Sequence, residues 1–278
     1  MVQLARRHPL IFFFVLVYAA TWAVWVPRAL GFEVGVIGQL WTWIPAIAAF
    51  AAAALTGGRA AVRDLWRRLL RWRVAWPWYA VVLAGPAAFS LVVGVVYLLL
   101  GGSRSAALPP AFTTSVPSLA LFLVILTVTD GLGEEPGWRG FALPRLLRRH
   151  VALVASLLLG VLWAGWHLPL LWTEGSALFG GPAWLLFLDL PPKAVLFSWV
   201  FLRTRGSVLI AALLHATTNL FTVSPWPGAT VDLTLALLAT AAKWALVAVL
   251  LAVAGTRLTR RADPEAFYRP AGETRGLS

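Results

Sequence analysis

Eight stretches of apolar sequence, each near the ~20 residues a helix needs to cross ~30 Å of hydrocarbon, leave this chain few ways to fold. They run roughly over 10–28, 36–55, 77–100, 117–142, 151–172, 183–202, 207–222 and 230–254. Hydrocarbon offers the backbone no hydrogen-bond partners, so every stretch must satisfy its own N–H and C=O groups, and a helix does so within one segment. With 60% hydrophobic and 12% charged residues, the composition cannot be sorted into one soluble core with a polar skin. The expectation is an all-α membrane protein, a bundle of eight transmembrane helices.

A net charge of +12 is compatible with nucleic-acid binding, but the arginines occur as short runs between apolar segments and form no basic tail or stripe. No nucleic-acid partner is expected. Alternate connections collect the charge: Arg6 and Arg7; Arg59, Arg63, Arg67, Arg68, Arg71 and Arg73; Arg139, Arg145, Arg148 and Arg149; Arg203 and Arg205; and Arg257, Arg260, Arg261, Arg269 and Arg275. The opposite side holds only Arg28 and Arg104. Basic loops stay in the cytoplasm, so both termini are expected there, in a multi-pass protein of the plasma membrane. The first span follows Arg6 and Arg7 but is long, rich in Phe and Trp, and lacks an A-x-A site, which favours a retained anchor over a cleaved signal. The stretch "GGRAAVRDLWRRLLRWRVAW" spaces Arg59, Arg63, Arg67 and Arg71 four apart, with Leu65, Trp66, Leu69, Leu70 and Trp72 available to lie on lipid. It is expected to form a basic amphipathic helix at the interface, drawn to anionic headgroups. Cysteine is absent, which removes disulfides, thiolate metal sites and thiol nucleophiles.

Ionisable groups at membrane depth each cost ~2.5 to 3.5 kcal/mol on insertion scales and therefore need a partner or a purpose. Asp130, Glu134 and Glu135 fall in the fourth span, His167 in the fifth, Asp189 and Lys193 in the sixth, His215 and Asn219 in the seventh and Lys243 in the eighth. Asp189 and Lys193, one turn apart, are expected to neutralise each other, as are Glu135 and Arg139. Lys243 has Asp130 as a candidate partner. Glu134 is left without a local cation, about 100° round the helix from Glu135. Burial beside a second acid, Asp130, is a setting in which a carboxyl can act as general base; it equally suits a protonated acid that only packs.

Pro136 and Pro169 each remove a backbone donor, beside Glu134 and His167 respectively, and such broken ladders are tolerated at depth only within protein or against a wet cavity. His215 and Asn219 project from one face of their helix. Glu134 and the imidazoles can meet only if the fourth helix runs on through "PGWRGFAL" to about Leu143, which puts Glu134 ~13 Å inside at ~1.5 Å per residue. There is no HExxH, GxSxG or GxGD pattern. A carboxylate, two imidazoles and an amide suit activation of water better than a covalent route.

"EEPGWRG" followed by "FALPRL", then "WAGWHLP", then "HATTN", resembles the three motifs EExxxR, FxxxH and HxxxN or HxxxD of the CPBP family, the CAAX-processing and bacteriocin-processing intramembrane proteases. The match runs from about residue 117 to 222, with Trp163 standing where the second motif usually has Phe, an exchange of one aromatic for another. The resemblance implies a glutamate-dependent peptidase acting on a peptide or protein substrate. Glu134 would take a proton from a water also held by His167, and His215 and Asn219 would stabilise the oxyanion. Glu135 and Arg139 would brace the helix. No cofactor is required, although His167, His215 and Glu134 could make a three-ligand zinc site. The cavity would open towards the cytoplasm. The chain then divides into spans 1–116 with a basic loop, a catalytic core 117–222, a last span 223–259 and a polar tail 260–278. Two alternatives stay open: a non-enzymatic immunity or scaffold protein of the same family, and a proton-coupled transporter.

Overall fold

The structure is a computed structural model that describes residues 2–35, 41–222 and 232–258. The expected tail 260–278 and the first residues of the second and eighth expected spans lie outside the described residues. Within them the chain is helical, with no strand. After a short turn of helix, Val2–Arg7, come α1 (Pro9–Ala29), α2 (Trp41–Leu69), α3 (Pro77–Leu99), α4 (Val116–Leu146), α5 (Ala152–Trp166, carried to Trp172 by a 3-10 turn), α6 (Ala183–Arg203), α7 (Val208–Leu220) and α8 (Leu233–Ala254). Seven of these are long and apolar enough to cross a membrane. The exception is α7, whose 13 residues reach only ~20 Å at ~1.5 Å per residue, short of a full crossing. It is capped at its start by Ser207, whose Oγ accepts from Ile210 N–H, and lies almost wholly buried.

The first helix is part of the bundle. Phe13, Val17, Thr21 and Trp25 form a buried face, Tyr18 Oη donates to the Leu162 carbonyl and Trp22 Nε1 donates to the Trp166 carbonyl at 3.1 Å.

The basic stretch forms a helical segment of its own, set off from the first part of α2 by Gly58, whose non-helical φ of 61° is open to glycine, and only part of it faces outwards. Trp66, Leu70 and Trp72 are exposed as expected, but Leu65 and Arg68 are buried. Arg71 Nη1 donates to the Arg205 carbonyl at 2.7 Å and Ser207 Oγ to the Arg71 carbonyl at 2.6 Å, so the segment is also fastened to the turn between α6 and α7.

Helix α4 changes character along its length. Residues Val116–Leu126 bury nothing, and Leu121, Phe122 and Val124 stand out as a lipid-facing surface would. From Gly133 to Pro144 every residue is buried. Two π-helical stretches, Thr127–Gly131 and Pro136–Ala142, flank the single α turn that carries the glutamates. The wider π turn absorbs the missing N–H of Pro136, so the helix runs through the proline to Leu146 as the depth argument requires. A side chain at Gly131 would start 2.5 Å from the Ala212 carbonyl oxygen of α7, and one at Gly133 would strike the Thr42 carbonyl at the head of α2. Glycine at these positions lets both neighbours close on the acidic turn.

Helix α6 is the most enclosed span, with 67% of its apolar window buried. Pro191 and Pro192 interrupt its ladder without ending it; the Leu188 carbonyl, which Pro192 leaves without its usual donor, accepts from Trp244 Nε1 of α8 at 3.0 Å.

Candidate active site

The acidic turn of α4 divides its two carboxylates between different partners. Glu134 is 3% exposed, and its Oε2 accepts from two indoles: Trp138 Nε1 at 3.0 Å, one turn on, and Trp163 Nε1 at 2.9 Å, from α5. Its Oε1 makes no hydrogen bond among the described residues and, unlike Glu135 Oε2, is not sealed in the interior. One oxygen is thus fixed and the other is left without a partner among the described residues.

Glu135 is fully buried. Its Oε1 accepts from Arg139 Nη1 at 2.9 Å, the expected pair, and lies 2.8 Å from His215 Nδ1 of α7. A carboxylate orients an imidazole by taking its Nδ1–H, which leaves Nε2 directed elsewhere. Arg139 lies beside two rings, its guanidinium 4.7 Å from the Trp163 ring centroid and 4.8 Å from that of Phe197.

His167 closes α5. Pro169 does not kink a continuing helix, as its position suggested; the α-helix stops at Trp166 and a 3-10 turn follows, with His167 as the cap. Its Nδ1 is 2.8 Å from the Trp163 carbonyl oxygen, which can only accept, so Nδ1 carries the hydrogen and Nε2 the lone pair. No hydrogen bond joins His167 to Glu134; Trp163 links them, through its side chain to one and its backbone to the other. The His167 ring also lies 4.7 Å from that of Trp166 and 6.3 Å from Trp25 of α1. His215 meets the edge of Trp163 at 5.6 Å.

Asn219, one turn beyond His215, is half-buried, and its Nδ2 donates to Asp130 Oδ2 at 2.9 Å. Asp130 is therefore tied to α7 and is not the partner of Lys243. The expected Asp189–Lys193 pair does not form either. Asp189 accepts from Lys243 and from Thr240 at 2.7 Å, both on α8, which offers it two donors across the helix interface. Lys193 instead extends over the rings of Trp163 and Phe197, 5.2 and 5.7 Å from their centroids.

A scaffold of contacts joins α4, α5 and α7: Trp163 is bonded to Glu134 and to His167, His215 to Glu135, and Asn219 to Asp130. His167, His215 and Glu134, the candidate zinc ligands, are not gathered into a cluster that could hold a metal among the described residues. The nitrogens and oxygens that are bonded serve Trp163, Glu135 and the two indoles. Sequence reasoning missed Trp138 altogether and gave Lys193 only a pairing with Asp189. Trp138 stands one helical turn from Glu134, a spacing that could have found it. Trp163 was read as an interchangeable aromatic, whereas its N–H, which phenylalanine lacks, binds the glutamate.

Residues 116–221 match the family described as Type II CAAX prenyl endopeptidase Rce1-like. A curated relative, CAAX prenyl protease 2 of Methanococcus maripaludis, is 35% identical over 106 residues, which is 36% of this chain and 38% of that protein. The chain thus spans less than half the length of that relative. The matched segment is α4 to α7, the part that carries every residue of the candidate site except Trp25, and the resemblance to the CAAX-protease family is borne out over it.

Proposed function

We propose that this multi-pass membrane chain, whose residues 116–221 carry the sequence of the CAAX-protease family, is an intramembrane endopeptidase in which Glu134 activates water. The observation that carries this reading is the asymmetry of the Glu134 carboxylate: Oε2 is held by two indole N–H groups while Oε1 is left to meet a small polar molecule. Water at Oε1 gives up a proton to it, with a second hydrogen bond to the lone pair on His167 Nε2 setting its angle. The water oxygen adds to the substrate carbonyl. The resulting oxyanion is met by the second N–H of Asn219 Nδ2, and by His215 Nε2 when that nitrogen carries a hydrogen, each such donor being worth ~3 to 4 kcal/mol. The proton gained by Glu134 passes to the leaving amine as the C–N bond breaks, which yields an acid and an amine and restores the carboxylate. Glu135 and Arg139 do not touch the substrate; they position His215.

The relative's printed name brings prenylated peptide ends forward as the substrate class, delivered from the cytoplasmic face where the basic loops gather. Anionic headgroups would meet exposed Arg59, Arg63 and Arg67. Purified chain and its Glu134→Gln variant, incubated with a library of membrane-partitioning peptides, test the reading. Loss of the general base should lower the cleavage rate by ~100- to 10,000-fold. Equal hydrolysis by both forms would remove Glu134 from the mechanism. Metal content measured on the same sample separates this route from a zinc-dependent one.

A further inference from the structure

Helix α2 is interrupted at Gly58, close to where it would leave the hydrocarbon. Residues 41–57 rise ~25 Å at ~1.5 Å per residue, near the ~30 Å of an apolar layer, so the basic segment beyond the kink lies at the level of the headgroups. The kink leaves room beside it. A Cβ at Gly58 would meet nothing within 4 Å, and an open cavity of about 550 Å³ is lined there by Ala54, Gly58, Arg59, Val62, Arg63 and Trp66. Its lining is apolar on one part and cationic on another. Trp66 is 48% exposed, with its ring 4.9 Å from that of Phe50, and Ala54 and Val62 add aliphatic surface. Arg59 and Arg63, one turn apart, are exposed, and neither meets a carboxylate among the described residues. Asp64, the only acid of residues 57–73, is bonded to Arg68 at 2.8 Å. A third guanidinium reaches the same kink from the short helix at the start of the chain, where Arg6 Nε donates to the Leu55 carbonyl at 3.2 Å.

We infer that the kink of α2 is a binding site for one anionic glycerophospholipid, its phosphate between Arg59 and Arg63 and an acyl chain leaving over Ala54, Val62 and Trp66. A guanidinium offers phosphate oxygens parallel N–H donors, and at this depth the anions that arrive with an apolar chain attached are lipid phosphates. Diffuse attraction of headgroups to a basic surface needs neither a cavity nor a break in the helix; this is a single molecule with a fixed seat. The site lies outside residues 116–221 and does not depend on the peptidase reading. It nevertheless bears on the acidic turn, because both halves of α2 back the π stretch of α4 that follows Glu135. A side chain at Gly137 would start 2.8 Å from the Pro45 carbonyl oxygen, and one at Gly140 2.5 Å from Leu65 Cδ1. Pro45 precedes the kink and Leu65 follows it. A lipid seated between the two halves fixes the angle between them and so braces the helix that carries the glutamates.

The test gives the full chain, in a neutral detergent, phosphatidylglycerol or phosphatidylcholine with the same acyl chains, and reads the lipid retained by native mass spectrometry. Wild type should keep one phosphatidylglycerol and prefer it ~30-fold, the worth of two basic side chains at a membrane surface. In the double variant Arg59→Gln with Arg63→Gln the preference should fall close to one; both positions are exposed, so the core stays intact. In a control, Arg148→Gln with Arg149→Gln, the same charge is removed from exposed positions elsewhere and the preference should persist. Phosphatidylglycerol should also raise the thermal midpoint of wild type and of the control, but not that of the double variant. A preference that survives in the double variant, or that the control loses equally, would overturn the site. An equal rise in midpoint with inorganic phosphate alone gives the cavity to a free anion, and a dimer mass that disappears with Arg59 and Arg63 gives the face to a second copy of the chain; either result overturns the lipid. Selective retention with no rise in midpoint would overturn the bracing of α4.

Discussion

Adjacent glutamates on one turn face partners about 100° apart, and this is why Glu134 and Glu135 can differ so sharply in role. Glu135 meets an arginine and a histidine in a fully buried setting, so Glu135→Gln strands the Arg139 guanidinium without a counter-charge. Breaking a buried pair from one side costs about 3 to 5 kcal/mol, and a fall in the thermal midpoint in detergent should accompany the loss of activity. Trp163→Phe is the sharper probe. It keeps a ring beneath Lys193 and beside His215 but deletes one of the two N–H donors to Glu134. A hydrogen bond to a charged group contributes about 1.5 to 3 kcal/mol to stability, so the thermal midpoint in detergent should fall, and kcat should fall with it as Oε2 loses one of the two donors that fix it. The candidate residues on α4, α5 and α7 could be chosen from the chain because polar groups are rare in apolar spans. Their pairings could not. Which oxygen of Asp189 or Asp130 meets which donor depends on packing between helices, and the nearest cation in sequence was the wrong one for Asp189.

Among the elements, α4 is the one whose local sequence was hardest to read and matters most. Its proline removes a backbone donor and is taken up by a π turn; Gly131 and Gly133, given no role by the sequence alone, are contact points for α7 and α2. The length of the apolar runs located most spans to within a few residues because hydrocarbon thickness sets a length, but it carried no information on whether the ladder inside a span is α, π or 3-10. The short α7 could not be told from a full crossing for the same reason. Gly131→Ala should expose the difference. A methyl group aimed at the Ala212 carbonyl forces α4 and α7 apart, and overpacking of this kind costs about 1 to 3 kcal/mol. Because α7 carries His215 and Asn219, peptidase activity should drop further than the thermal midpoint would suggest. A lipid-facing control, Val124→Ala, should change neither.

For the whole molecule, the bias of Lys and Arg predicts that both ends and the α2–α3, α4–α5 and α6–α7 connections face the cytoplasm. The chain contains no cysteine, so single substitutions to cysteine give an unambiguous reading. Arg149→Cys in inside-out vesicles should react with a membrane-impermeant maleimide and in right-side-out vesicles should not; Arg104→Cys should do the reverse. The opposite pattern would invert the proposed access to the site. The pairing of Glu134 with two indoles has a further optical consequence. Ionisation of a carboxyl group, or its displacement by an incoming chain, alters the emission of any indole bonded to it. Subtracting the Trp163→Phe spectrum from that of the parent isolates the signal of one ring among sixteen. Glu134 therefore carries a built-in chromophore, through which a change in its charge or contacts could be followed in an intact bilayer without attaching a label.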